Sequence, residues 1–210
     1  QIQTNFMKFP ASFLERVEKA ENQEDGLGTS IYMNPGEIDP KKPAEFAFLH
    51  KDPLCFFEVW GIHITTDKQK PFRFIEEPTD NEILKELGGE YQRAVNTYSD
   101  ESPKPPRKPQ LCMNWSVYDF DNKCVRALKI HQFTIQQQIQ SVSLNRKYRN
   151  LLDWNIELGK MVGAKTSYNL QVVPRDESTQ EELEKAWDKA QDNGWDLNRL
   201  LENGDPSKAE

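Results

Sequence analysis

Along residues 111–174 apolar and polar positions alternate with a period of two, then of about 3.6, then of two again. Leu111, Met113, Trp115 and Val117 alternate with Cys112, Asn114, Ser116 and Tyr118, and Asp121-Asn122-Lys123 supplies a turn into Cys124 to His131. That pattern predicts a β-hairpin. Ile135, Ile139 and Val142 follow at i, i+4 and i+7 and predict a helix, which closes on the basic run Asn145-Arg146-Lys147-Tyr148-Arg149. The two-residue period returns at Leu152, Trp154, Ile156 and Leu158, turns over 159–165 with Lys160 and Lys165, and resumes at Tyr168, Leu170 and Val172 until Pro174. This is a second predicted hairpin. Upstream, Glu45 to Leu49 and Leu54 to Thr65 read as strands interrupted by Asp52-Pro53. The second is apolar on both faces, with Phe56, Trp60, Ile62 and Ile64 on one and Cys55, Phe57 and Val59 on the other. A central strand covered on both sides gives that pattern, and so does a core face backed by a binding face.

The flanking segments are of other kinds. Pro10 opens a short helical pattern with Phe13, Leu14 and Val17 on one face, which reads as a packing arm. A short strand is expected over Phe72 to Ile75 and a helix near Asp80 to Thr97. Four prolines within 102–109, with Lys104, Arg107 and Lys108, forbid helix and leave either a plain linker or a basic flap. After Pro174, Ser178 and Glu181 have the spacing of a capping box, Leu183, Ala186, Trp187 and Ala190 share a helix face, and Asn193-Gly194 stops it. Trp195, Leu197, Leu200 and Leu201 predict a further short amphipathic piece, and Asn203 to Glu210 a mobile tail.

Strands, a hairpin, a helix and a second hairpin, without a repeated βα unit, disfavour parallel α/β folds. The order fits a mainly β chain with added helices, built on a five-stranded OB-type barrel with an inserted helix. Residues 1–43 are then an N-terminal arm and loop. Residues 44–175 form the OB-fold domain, with 76–110 as inserted helix and basic connector, and 176–210 form an acidic C-terminal helix and tail.

Composition sharpens this reading through the distribution of charge. Over 210 residues the net charge is −7 and the mean hydropathy −0.82, which alone argues against a polyanion ligand. Residues 104–175, however, hold 12 basic and 4 acidic side chains, against 11 and 19 in 1–103 and 4 and 11 in 176–210. A basic centre between acidic flanks fits a nucleic-acid surface; a solvated, unevenly charged surface is the alternative. No apolar run reaches bilayer length and no signal-peptide pattern opens the chain, so a soluble protein of the cytoplasm, in no contact with a membrane, is expected. Cys55, Cys112 and Cys124 form no Cys-x-x-Cys unit and suit a reduced compartment, and Cys112 and Cys124 read as buried structural thiols rather than as metal ligands with His131.

Catalytic signatures are missing: there is no glycine-rich phosphate loop, no His-Glu-x-x-His and no Gly-x-Ser-x-Gly. A non-enzymatic protein without a cofactor is the expectation. What the chain does offer is aromatic rings interleaved with cations on strands, the two ingredients of single-strand binding. Trp60, Tyr118 and Phe120 are the candidate stacking rings, the last two because they fall opposite the core-like face of their strand. Lys123, Arg126, Lys129, Lys160 and Lys165 are the candidate phosphate contacts.

Trp115-x-Val-Tyr118-Asp119, Asn122-x-x-Val125-Arg126, the Gln/Ile-rich helix, Tyr148, Asp153-Trp154-Asn155-Ile156 and Thr166-Ser167-Tyr168 running to Pro174 together resemble single-stranded DNA-binding proteins of tailed bacteriophages. The resemblance covers 111–202 and, more loosely, 1–75, while 76–110 is individual. It implies an OB-fold, sequence-independent binding of single strands in phage replication, recombination and repair within the host cytoplasm, and an acidic C-terminal segment that contacts phage or host replication proteins. The chain departs from the common bacterial single-strand binders in lacking a Gly/Pro/Gln-rich tail with an acidic-aromatic tip. A structural or protein-interaction module, its basic centre covered by its acidic ends, is the competing expectation.

Overall fold

The computed structural model describes residues 30–208, so the predicted arm at Phe13, Leu14 and Val17 lies outside the described residues. The strands are β1 (Tyr32–Met33), β2 (Ala44–Phe48), β3 (Leu54–His63), β4 (Gln69–Phe74), β5 (Tyr91–Arg93), β6 (Gln110–Asp119), β7 (Cys124–Ile130), β8 (Trp154–Met161) and β9 (Ser167–Pro174). Among the described residues there are three α-helices, α1 (Asp80–Leu87) and α2 (Phe133–Leu144) between strands and α3 (Glu177–Asp192) after the last. Both hairpins, the Gln/Ile helix and the two upstream strands stand where the apolar periods place them.

All nine strands belong to one mixed sheet, whose main path runs β1-β7-β6-β2-β8-β9. β6 is the spine. Its length is shared on one edge by β3, which pairs Leu54 with Asn114 through Glu58 with Gln110, and by β2, which pairs Phe46 with Asp119 through Phe48 with Val117. β2 and β3 thus act as one long strand broken at Leu49 to Pro53. The break is stitched by side chains: the Ser116 N–H donates to His50 Nε2 at 2.8 Å, Trp115 Nε1 donates to the Lys51 carbonyl at 3.3 Å, and Asn114 Nδ2 donates to the Leu54 carbonyl at 3.0 Å.

The sheet curls around a core of Phe46, Phe48, Trp115, Val117, Leu128, Ile130, Ile156, Leu158 and Leu170, yet its path does not close, because β9 pairs with neither β1 nor β7 at the other end. Helix α2 fills the seam with Ile135 and Ile139. Its glutamines complete the job. Gln138 donates to the Tyr168 carbonyl at 3.0 Å and accepts from the Leu170 N–H at 2.8 Å, pairing the free edge of β9 as a neighbouring strand would, while Gln136 donates to the Leu111 and Ile130 carbonyls.

The outer face of the sheet is covered as well. Leu183 and Ala186 of α3 pack on Ala47, Tyr118 and Phe120, and Leu197, Leu200 and Leu201 of the 3-10 turn Leu197–Glu202, with Trp195, pack on Phe56, Cys112 and Ala127. Ile83 and Leu87 of α1 cover Val59 and Phe72. Phe56 and Val59, on opposite faces of β3, are therefore both buried, while Cys55 and Ile64 of the same predicted run stay exposed.

Several local expectations are corrected. The helix expected over Asp80 to Thr97 stops at Leu87, because Gly88 takes a φ of 57° and β5 follows; its capping box is Thr79 with Glu82. Helix α3 starts at Glu177 with Asp176 as its cap, so Ser178 is not a capping residue. The expected mobile tail is folded back as far as Ser207: Pro206 is buried, and its carbonyl accepts from the Asp196 N–H at 2.9 Å. The Pro-rich connector is strapped beside β5, with Arg107 and Lys104 donating to carbonyls of Val95, Thr97 and Ser99, which is a connector's role and not a flap's.

Gln138→Leu leaves the Leu170 N–H and the Tyr168 carbonyl without their partner at a packed edge. It is expected to cost about 1–3 kcal/mol in urea unfolding; an unchanged midpoint would show that the seam does not need this carboxamide. His50 gives a second test. Its Nε2 accepts a hydrogen bond, and burial holds its pKa below the ordinary 6.5, so the unfolded chain takes up the proton first. The contribution is whole above about pH 6.5 and is lost as pH falls through that value towards the lower folded pKa. His131 is shifted the same way, by burial and by Lys129. Thermal melts between pH 7.5 and 5.5 should show the wild type losing stability, and His50→Gln losing less; equal losses would assign the effect elsewhere.

Candidate functional site

The sequence-predicted residues do not converge on one groove. Tyr118 is 1% exposed beneath α3, its hydroxyl donating to Glu182 Oε1 at 2.9 Å, and Phe120 meets it edge-on with ring centroids 5.0 Å apart. The pair was expected to face a ligand because it lies opposite the core; that face is instead a second apolar layer under α3, so Tyr118 offers no stacking surface. Trp60 is half-buried on β3, with the Lys129 ammonium 5.8 Å from its ring.

Most of the expected phosphate contacts are spent inside the protein. Arg126 is ion-paired to the buried Asp119 at 2.8 Å and donates to the Tyr32 carbonyl at 2.6 Å. Lys129 is paired at 2.9 Å to Glu58, a carboxylate that is itself 3% exposed and also holds Arg73 at 3.2 Å. Arg73 in turn donates to the Leu200 carbonyl and pins the C-terminal turn to the sheet. Lys160 donates to the Gly36 carbonyl at 2.6 Å. These are the interactions buried or half-buried cations need, since an unpaired charge there is costly. Lys123, in the β6–β7 turn, and Lys165, in the β8–β9 turn, remain exposed.

The free positive charge lies elsewhere. Helix α2 ends at Leu144, and the turn into β8 carries Arg146, Lys147 and Arg149, all exposed, and none of them ion-paired among the described residues. Tyr148 stands between them, edge-on to Trp154 with centroids 5.1 Å apart; Trp154 Nε1 donates to the Tyr148 carbonyl at 3.1 Å, which holds the turn against β8. Asn150 caps the following 3-10 turn, Leu151–Asp153, by accepting from the Leu152 N–H.

Two hollows flank this turn and share Arg149. The smaller, about 380 Å³, is bounded by Lys147, Tyr148, Arg149, Trp154 and Arg175, with Asp153 as its one carboxylate. Arg175 gives its hydrogen bonds there to neutral groups, Asn155 Oδ1, the Gln180 side chain and the Trp154 carbonyl; burial pulls its pKa down, against the opposing charges of Asp153 and Glu184. A half-buried guanidinium hydrogen-bonded to neutral groups keeps its charge available to an anion. The larger hollow, about 630 Å³, lies between α2 and the break after β2, over Phe48, Met113 and Trp115. Three cations around two rings, beside an apolar cleft, can hold phosphates and flat apolar groups together.

The signal that could have found this site was in the chain: Arg146-Lys147-Tyr148-Arg149 is its densest cation–aromatic run. It read as the end of a helix, whereas Arg175 and Trp154 join it only through the fold. Among the described residues no three metal-ligating side chains cluster and no helix is long and apolar enough to cross a membrane. Burial raises the Cys112 thiol pKa to about 12 and also raises that of Cys124. No protein-family model, curated protein or solved structure matches this chain.

Proposed function

We propose that the protein binds single-stranded DNA without sequence preference and without catalysis, in phage replication, recombination and repair in the host cytoplasm. The observation that carries the reading is the turn after α2, where Arg146, Lys147 and Arg149 are exposed and form no ion pair among the described residues, beside the Tyr148–Trp154 ring pair. Two further features support it. The order β7-β6-(β2/β3)-β8-β9, with a helix between β7 and β8 and the sheet left open, is compatible with an OB-type reading and supports it. The resemblance to phage single-strand binders points the same way.

An OB-type reading places oligonucleotides on the outer face of β6 and β7. In this chain that face lies under the C-terminal segment, which moves the interface to the α2–β8 side. The segment is seated by apolar contact. None of its carboxylates forms an ion pair with a cation of 104–175 among the described residues. Neutralisation of the basic centre by the C-terminal segment, one half of the interaction-module reading, is therefore disfavoured, as is a competitor role for that segment. The outward carboxylates of α3, Glu177, Glu181, Glu184 and Asp188, are exposed and suit a docking site for basic replication proteins.

Fluorescence anisotropy with labelled oligo(dT) and a duplex of equal length tests the proposal. The single strand should bind more tightly, with log affinity falling against log salt by about 0.7 per phosphate contact. The triple variant Arg146→Ala, Lys147→Ala, Arg149→Ala should lower that slope by about 2 and weaken binding roughly tenfold or more at 0.1 M salt. Equal or tighter duplex binding would reject the function, and a wild-type slope in the triple variant would reject the site.

A further inference from the structure

The larger hollow carries features that phosphate tracking along the turn does not use. It lies beside the break between β2 and β3 at Leu49 to Pro53, and among the described residues it is lined by the half-buried Leu111 and Met113 of β6, Met113 also packing against the main core. Apolar surface left open in this way is costly unless something covers it. Phe133, at the mouth, is 69% exposed.

The rim differs in kind from the floor. Gln137 and Gln140 turn their exposed carboxamides to the mouth, and neither side chain makes a hydrogen bond among the described residues, unlike Gln136 and Gln138 on the same helix, which are tied to strand edges. Lys51 and Arg149 stand on the rim, with Asp52 as its only carboxylate. The floor thus suits a flat apolar body, the carboxamides offer donors and acceptors to that body's edge, and the cations suit an anionic backbone outside it. A peptide's apolar side chain would need the floor alone. A base joined to phosphates needs all three.

We propose that this cavity receives an unstacked base of the bound single strand, with Arg149 holding the adjoining phosphate where the two hollows meet. The inference rests on the single-strand reading above and deepens it by assigning the cavity to the base and the turn to the backbone.

The test separates base from backbone. Gln140→Trp, which fills the cavity from its rim and leaves the basic turn intact, is compared with wild type on oligo(dT) and on an abasic oligonucleotide of equal length. Loss of one stacked base should weaken oligo(dT) binding about fivefold or more and leave the abasic oligonucleotide unchanged. Ser143→Phe, at another point of the lining, serves if Gln140→Trp does not fold, as judged by its melt. An independent arm uses wild-type protein photo-crosslinked to 4-thiothymidine oligonucleotides, with adducts expected in 110–115 or 133–143. Filled variants with wild-type affinity for oligo(dT), equal losses on both oligonucleotides, or adducts confined to Tyr148, Trp154 or the β8–β9 turn would each overturn the assignment. The first and last would leave the cavity to a protein segment. Absence of any single-strand binding by wild type would instead reject the function on which the assignment stands.

Discussion

A sheet that curls without closing leaves a row of backbone donors and acceptors facing the core, and everything else in this structure depends on how that row is satisfied. Buried backbone groups must be paired. Here a helix does the work of a strand pair: Gln138 exchanges two hydrogen bonds with the edge of β9, Gln136 caps carbonyls of β6 and β7, and Ile135 and Ile139 seal the apolar gap between them. This explains the composition of α2, in which glutamines are part of the fold's closure. Because α2 is committed to the seam by one flank, its other flank, with Gln137 and Gln140, is left over a hollow that no strand fills.

The second constraint is that the outer face of the β3–β6 region is covered. The C-terminal segment supplies the outer cover, and the Glu58–Arg73 pair, with Arg73 reaching the Leu200 carbonyl, fixes its position. Once that face is sealed, cations on it can persist only by pairing internally, as Lys129 does with Glu58. Arg126 follows the same rule beside the buried Asp119. The formal charge of the basic segment therefore overstates what a polyanion can meet. What stays free is concentrated on a turn too polar to be packed and too short to be covered.

The sequence was legible where the period was long and clean. The runs at 111–118, 152–158 and 168–172 predict β6, β8 and β9, and the 3.6 period at 135–142 predicts α2, because each of these elements turns one regular apolar row to the same core. The face opposite that core misled. Tyr118 and Phe120 look like exposed aromatics when only one apolar layer is assumed, and a second layer, contributed by a helix sixty residues away, cannot be read from a local alternation. Closure by α2 was equally hidden, because a glutamine on a helix carries no periodic signal for the strand edge it pairs. The stop at Gly88-Gly89 was visible in the residues but outweighed by the helical run before it. The candidate turn was legible as charge and aromatic content, and illegible as a site, since Arg175 and Trp154 reach it only after the second hairpin forms.

The central claim is that a single strand runs along the α2–β8 side while the C-terminal cover stays seated. Amide hydrogen exchange of the full chain, with and without a saturating oligo(dT), tests it most directly. The account predicts added protection at 133–154 and 110–115, with exchange in 177–202 unchanged. Faster exchange across α3 and the Leu197–Glu202 turn, with protection moving to the outer strands Cys112 to Tyr118 and Val125 to Lys129, would contradict it and place the strand under a displaced C-terminal segment.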